Sequence, residues 1–161
     1  MLALSVRPPW GYYIIYGIPY AVSVDNGDGT TSIKDSGKVI LKDIENRGWA
    51  LPPGFKLPQR IQIHISKTFD PIEEVMDFCI GKLGLPWFSI ISSFSNNLPR
   101  GAVIGEVDIV DCVRDSKSPW AVPGQHHFLL ANPKAYKTPI PCRGKLGFFE
   151  PDIDTTKVVY A

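Results

Sequence analysis

Residues 60–66 read Arg-Ile-Gln-Ile-His-Ile-Ser and form the clearest strand pattern in the chain. Isoleucines at every second position alternate with Gln62, His64 and Ser66. Because successive side chains of a strand point to opposite faces, this segment predicts one apolar face and one polar face. A strand of this kind needs neighbours that cover its apolar face.

The flanking sequence predicts more strands than helices. Short helices are expected at about 10–16 and 70–83, and the second has an apolar stripe with Asp70 as its N-cap. The absence of repeated βα units argues against a doubly wound parallel sheet. We predict an α+β fold: a small mixed β-barrel with two or three flanking helices and an inserted β-hairpin. Its further strands are expected at 2–6, 20–24, 30–34, 38–44, 102–113, 127–131 and 144–149.

Composition predicts one globular domain over residues 1–161. The net charge of +1 argues against a protein that coats nucleic acid, although a small basic pocket is compatible with it. Three widely spaced cysteines give no disulfide framework or zinc motif, which favours the reducing cytoplasm. No stretch of about 20 apolar residues predicts a membrane span.

A second informative stretch is Lys-Asp-Ile-Glu-Asn-Arg-Gly-Trp at 42–49. It groups an amine, a carboxylate, a guanidinium group and a flat ring, as a polar ligand site would require. Strand alternation places Glu45, Arg47 and Trp49 on one face. Lys42 joins them only if the chain bends.

Each residue of this stretch has two interpretations. Lys42 is either a general base or phosphate contact, or a solvated lysine paired with Glu45. Glu45 either accepts hydrogen bonds from a base edge or holds its basic neighbours in place. Arg47 binds a phosphate or forms a buried ion pair. Trp49 stacks on a base or closes one end of the barrel.

Three more residues are candidate ligand contacts. Ser5 and Arg7 share a face of the first strand, where we expect Ser5 to donate a hydrogen bond and Arg7 to contact phosphate. His64 is either an acid–base group or a structural residue beneath the site. The adjacent His126 and His127 would point apart on a strand, so we expect no metal site, and we also expect no cofactor. The sequence contains no G-x-S-x-G, Walker, Rossmann or zincin motif, so it gives no support for a serine nucleophile or a nucleotide-hydrolase mechanism.

Several ordered segments resemble ASCH domains of the PUA-like β-barrel superfamily. They are ALSVRPPW (3–10), KDIENRGW (42–49), IHISK (63–67), GAVIGEVDIVDCV (101–113), SPW (118–120), FLLANP (128–133) and PIPCRGKLGFFE (139–150). The resemblance covers roughly residues 2–150. It implies a five- or six-stranded barrel whose cleft is floored by the Lys-x-x-Glu-x-Arg motif, and it implies binding of RNA or nucleotides. Some members of the family are reported to act as ribonucleases, and one branch as amidohydrolases on acetylated cytidine.

The chain departs from the family pattern at two places. The family has glycine two residues before the motif lysine, where this chain has Ile40, and Gly17 is the matching turn glycine. Residues 19–40 therefore look like a hairpin insertion, which is either decoration or a wall or lid of the cleft. The amidohydrolase branch has threonine where this chain has Glu45, which argues against that activity.

Three functions follow as hypotheses. The preferred one is a module that binds single-stranded RNA or a nucleotide. The alternative is a hydrolase acting on RNA or on a modified nucleoside, with Lys42 and His64 as its catalytic residues. The third is an adaptor that binds a protein partner through the 19–40 hairpin or through residues 84–100, which contain Trp87, Phe88 and Phe94.

Overall fold

A computed structural model of the protein describes residues 1–91 and 98–161. Its elements, in chain order, are β1 (Ala3–Val6), α1 (Trp10–Ile15), β2 (Ile18–Asp25), β3 (Thr31–Ile40), β4 (Ile44–Arg47), β5 (Gln59–Ile65), α2 (Ile72–Leu83), α3 (Trp87–Ile91), β6 (Ala102–Val113), β7 (His126–Pro141), β8 (Phe148–Phe149) and a short 3-10 helix (Thr155–Lys157).

Six strands form one mixed sheet in the order β4-β7-β6-β5-β1-β8. β1 pairs with β5 in parallel, and the other pairs are antiparallel. The sheet curls into a half-barrel, and a β2–β3 hairpin and a few short helices complete the molecule. The predicted α+β fold with flanking helices and a hairpin is therefore confirmed.

β5 lies inside this sheet, and both of its faces are buried. Ile61, Ile63 and Ile65 are 0–1% exposed and belong to the main core. The polar face is also enclosed, since Gln62 and His64 are only 4% and 2% exposed. Alternation correctly separates the two faces, but the curl of the sheet turns the polar face inward rather than toward solvent.

The helices pack around the sheet with one change from the prediction. α2 begins at Ile72 with Pro71 as its N-cap residue, and no side chain caps it. Asp70 instead accepts hydrogen bonds from Trp10 Nε1 at 2.6 Å and from Arg7 Nη1 at 3.1 Å. The predicted N-cap is therefore wrong, because Asp70 joins α2 to the end of β1 and the start of α1.

The hairpin forms a separate two-stranded sheet with longer strands than predicted. Gly17 adopts a φ of +75°, and a Cβ there would come within 2.9 Å of Ile40 O. A glycine is therefore needed where α1 turns into β2. The hairpin packs beside α3, where Ser89 Oγ accepts a hydrogen bond from Ala21 N.

The end of the chain differs most from the prediction. β7 extends over 16 residues, far beyond 127–131, whereas only Phe148 and Phe149 form the last strand. Residues 142–147 are a loop in which Gly147 has a φ of +68°, so the predicted strand at 144–149 is mostly wrong. The tail returns to the sheet through a bridge between Tyr160 and Tyr136.

Among the described residues, no helix has the length and apolar character needed to cross a membrane.

Candidate functional site

A cavity of about 1520 Å³ opens at one end of the half-barrel. The end of β1, the 42–48 segment, the end of β5, the 118–125 loop and the 141–147 loop supply most of its wall, and Trp10, Asp70, Glu74 and Phe78 complete it. Six of the seven predicted ligand contacts line it: Ser5, Arg7, Lys42, Glu45, Arg47 and His64. Segments far apart in sequence therefore meet at one place.

Lys42, Glu45 and Arg47 form a hydrogen-bonded row in the cavity floor. Lys42 Nζ donates to Glu45 Oε1 at 3.1 Å and also to Ile44 O. Arg47 Nη2 donates to Glu45 Oε2 at 2.8 Å and to Ser5 O at 2.9 Å. Lys42 reaches Glu45 because the chain leaves β3 at Ile40 and bends before β4 begins at Ile44.

The row holds a charged carboxylate inside the protein. Lys42 and Glu45 are 5% and 6% exposed. Burial alone would raise the pKa of Glu45, but the charges and hydrogen bonds of Lys42 and Arg47 outweigh it and hold the pKa below its usual value. Both carboxylate oxygens have partners, so Glu45 organises its basic neighbours. This geometry leaves less room for the predicted contact with a base edge.

Ser5 and His64 are direct neighbours across the parallel β1–β5 pair. Ser5 Oγ lies 2.9 Å from His64 Nδ1, and His64 Nε2 lies 2.9 Å from Cys142 O. Burial lowers the pKa of His64 below its usual value, and the hydrogen bond to Cys142 O offsets part of that effect. Both ring nitrogens are therefore occupied, and Ser5 contacts His64 as well as lining the cavity.

Trp49 does not line this cavity. β4 ends at Arg47, so strand alternation no longer governs residue 49. The Trp49 ring packs edge-on against Phe128 and Phe148 at centroid distances of 5.6 and 5.7 Å. The Arg47 guanidinium lies over the Trp49 ring, 5.7 Å from its centroid, so the two residues remain neighbours as predicted. Trp49 itself belongs to an aromatic cluster beside the cavity and is not part of the described wall.

Other aromatic rings line the cavity instead. Trp10, Phe78 and Trp120 contribute to its wall, and Phe78 stacks on Trp120 at 5.9 Å with an angle of 26° between the ring planes. Trp10 meets the Phe78 ring edge-on at 5.5 Å. Trp120 is buried, whereas Trp10 and Phe78 are half-buried. The half-buried pair offers aromatic surface to a ligand.

Basic side chains outnumber acidic ones around the cavity. Among the described residues that line it, six are basic (Arg7, Lys42, Arg47, Lys67, Arg143 and Lys145) and three are acidic (Glu45, Asp70 and Glu74). In the described part of the chain, no carboxylate lies within ion-pair distance of Lys67, Arg143 or Lys145. These three cations are exposed and available to an anion.

Sequence reasoning missed the 142–147 loop and the aromatic wall. Gly144, Lys145 and Gly147 fall within the predicted last strand, although two glycines and two basic residues in positions 143–147 are typical of a loop that approaches an anion. Phe78 belongs to a helix and has no distinguishing signal. Trp10 and Trp120 belong to quoted motifs, but their shared wall depends on tertiary packing.

Within residues 1–91 and 98–161, no cluster of three or more histidine, cysteine, aspartate or glutamate side chains is arranged to hold a metal ion. The three cysteines are free.

In the segment predicted to bind a partner, none of the described residues 84–91 and 98–100 contributes to the cavity wall. Trp87 is 56% exposed and meets the half-buried Phe88 ring at 5.7 Å. Phe94 lies outside the described residues. No residue of 18–40 contributes to the described cavity wall, so the hairpin does not form that wall.

A scan against protein-family models finds no match to this chain. A search of the curated proteins finds no match either.

Proposed function

We propose that the cavity binds single-stranded RNA or a nucleotide, in the manner that the resemblance to ASCH domains predicts. The observation that carries the proposal is the excess of basic residues around a cavity that also has an aromatic wall. Phosphates attract basic side chains, and bases stack on aromatic rings with little dependence on sequence. A ligand that carries both phosphates and flat bases would use both the basic residues and the aromatic wall.

The size of the cavity favours a segment of a strand over a single small molecule. Its volume of about 1520 Å³ exceeds the range of about 300–1,000 Å³ that is usual for small-molecule pockets. Lys67, Arg143 and Lys145 are exposed cations that would contact phosphates. Lys42 and Arg47 would contribute positive potential from the floor, since Glu45 neutralises only part of their charge. The free cysteines agree with action in the reducing cytoplasm.

The hydrolase with Lys42 and His64 as catalytic residues is less well supported. Lys42 Nζ already donates hydrogen bonds to Ile44 O and to Glu45 Oε1 inside the protein, so it is engaged with the chain rather than with a reactant. A general base needs a lone pair free to accept a proton from the reactant or from water. The adaptor function rests on the exposed Trp87 and Ile91 in the described part of residues 84–100, together with the hairpin.

Titration of a fluorescently labelled single-stranded RNA of about 12 nucleotides tests the proposal. The variant carries Arg143→Gln and Lys145→Gln, which remove two exposed charges without touching a described ion pair. A matched control carries Lys34→Gln and Lys38→Gln, which remove the same charge from the hairpin, outside the described cavity wall.

We expect the cavity variant to weaken binding at low salt. The magnitude of the slope of log Kobs against log salt should fall by about 0.7 for each phosphate of a single strand that the variant no longer neutralises. The hairpin control should bind like the unmodified protein. Equal weakening in the two variants would show only non-specific attraction, and absence of RNA binding by the unmodified protein would refute the proposal.

A further inference from the structure

A serine hydroxyl, an imidazole and a carbonyl oxygen form a hydrogen-bonded chain in the cavity wall. Ser5 Oγ and His64 Nδ1 are 2.9 Å apart, and His64 Nε2 and Cys142 O are also 2.9 Å apart. The parallel register places Ser5 directly beside His64, so two adjacent strands of the sheet fix the pair. This arrangement of nucleophile, base and orienting group is the one that nucleophilic enzymes use.

The direction of both hydrogen bonds follows from the carbonyl group. Cys142 O can only accept, so His64 Nε2 carries the proton. Nδ1 of a neutral imidazole then has its lone pair free, and Ser5 Oγ must donate to it. Burial favours the neutral ring, because it lowers the pKa of His64. The base is therefore in the protonation state and tautomer that can take the serine proton.

The surroundings of Ser5 leave the pair close to the cavity and next to a positive charge. Ser5 is half-buried and lines the cavity. Arg47 Nη2 donates to Ser5 O at 2.9 Å, so a guanidinium group is anchored on the nucleophile's own backbone. Gly144 passes over the pair, and a Cβ there would lie 2.6 Å from His64 Cε1. Glycine at this position keeps the pair undistorted.

We propose that Ser5 is a nucleophile activated by His64 and that the cavity hydrolyses a carboxylic ester that carries a negatively charged group. The activity goes beyond nucleic-acid binding and does not depend on it. The charge of the ester matches the excess of basic residues around the cavity.

The first half-reaction transfers the acyl group to Ser5. The Oγ lone pair forms a bond to the ester carbonyl carbon, the carbonyl π pair moves onto oxygen, and the Oγ proton passes to His64 Nδ1. The oxyanion then re-forms the carbonyl and expels the alkoxide, which takes the proton from Nδ1 and leaves as the alcohol. Arg47 is held at Ser5 O by a hydrogen bond of 2.9 Å, and the part of its charge that Glu45 does not neutralise favours negative charge beside Ser5.

Water completes the second half-reaction. It attacks the acyl-serine carbonyl carbon and gives one proton to His64 Nδ1. Collapse of the second oxyanion breaks the bond to Oγ, which takes that proton back. The products are a carboxylic acid and the free Ser5 hydroxyl, so one ester and one water give one acid and one alcohol. Cys142 O orients the imidazole through both steps.

A biotinylated fluorophosphonate tests the nucleophile directly, because it forms a covalent bond with an activated serine and releases fluoride. We expect the folded protein to be labelled once, with the modified peptide containing Ser5. Ser5→Ala should lose the label. Ser66→Ala is the matched control, since Ser66 also lines the cavity but its buried Oγ has no hydrogen-bond partner in the described part of the chain.

The pH dependence separates an activated serine from a merely structural one. The labelling rate should fall as the pH is lowered through the pKa of His64, and His64→Gln should remove that dependence along with most of the rate. Release of nitrophenol from 4-nitrophenyl acetate should show the same loss in Ser5→Ala. Absence of label on Ser5 in the folded, unmodified protein would overturn the proposal, as would labelling that is equal in Ser5→Ala.

Discussion

Lys42 Nζ lies 3.1 Å from Glu45 Oε1, although three residues of a straight strand would put the two side chains on opposite faces. The chain bends between Ile40 and Ile44, and Lys42 N donates to Tyr13 O at 2.9 Å to hold that bend against α1. The Lys42–Glu45 part of the 42–49 motif is therefore a buried ion pair. Any effect of Lys42 on a ligand depends on how this pair holds its ammonium group.

Glu45→Gln should destabilise the protein strongly. The substitution leaves the buried Lys42 ammonium without its counter-charge, and breaking a buried pair in this way costs about 3–5 kcal/mol. Urea unfolding followed by circular dichroism would measure the loss. Glu150→Gln is the control, because Glu150 is exposed and such a change stays within about 0.5 kcal/mol.

A double variant sharpens this test. Adding Lys42→Met to Glu45→Gln removes the uncompensated charge and should recover part of the lost stability. If the changes in the free energy of unfolding caused by the two substitutions simply add, the interaction between Lys42 and Glu45 contributes nothing to stability.

Lowering the pH from 7.5 to 5.5 should reduce stability through His64. The pKa of His64 in the folded protein lies below its usual value of 6.5, so the unfolded chain binds the proton more readily. The contribution of this residue is complete above pH 6.5 and is lost as the pH falls toward the folded pKa. The loss is about 1.4 kcal/mol for each pH unit by which the folded pKa lies below 6.5.

Urea midpoints at pH 7.5, 6.5 and 5.5 would measure this loss. His64→Gln cannot titrate in that range, so its stability should vary less with pH over the same interval. If stability depends on pH in the same way in His64→Gln as in the unmodified protein, groups other than His64 cause the loss.

Removing a ring from the cavity should weaken RNA binding more than removing Trp49. Phe78→Leu keeps an apolar side chain in α2 but removes aromatic surface from the cavity wall. We expect it to weaken binding of single-stranded RNA by about 1–3 kcal/mol, which is the usual contribution of a stacked base.

Trp49→Leu is the comparison for this change. Trp49 packs on Phe128 and Phe148 outside the cavity wall, so its loss should lower stability while affinity stays within about twofold. Fluorescence anisotropy titrations of the folded Phe78→Leu and Trp49→Leu variants would show which of the two rings contributes to RNA affinity. The opposite ranking would restore Trp49 as the stacking residue that the 42–49 pattern predicts.

Shortening the hairpin should leave RNA affinity unchanged. Residues 22–34 can be replaced by Asn-Gly, because Ala21 and Asp35 are paired neighbours and a two-residue turn can join them. β2 and β3 pair only with each other in the described sheets, and no residue of 18–40 lines the cavity. The anisotropy titration would measure affinity, and a clear loss would mean that the hairpin contacts RNA beyond the cavity.

Much of the fold could be predicted from local patterns in the sequence. Alternation in 60–66 and the long apolar segment at 102–113 identify the two central strands, and the structure has them at Gln59–Ile65 and Ala102–Val113. α1 and α2 also follow from spacing and from Pro and Gly signals. Such patterns succeed because the geometry of a strand or a helix repeats within a few residues.

The candidate site depended more on tertiary structure. The sequence by itself determined the chemistry of the 42–49 motif and the alternation of β5. Only the packed fold decided that Lys42 bends back to Glu45, that Ser5 meets His64, that the 142–147 loop joins the cavity and that Trp49 does not. These contacts join residues that are distant in sequence or separated by a bend. Their positions depend on strand order and on the curl of the sheet, and neither has a local signature in the sequence.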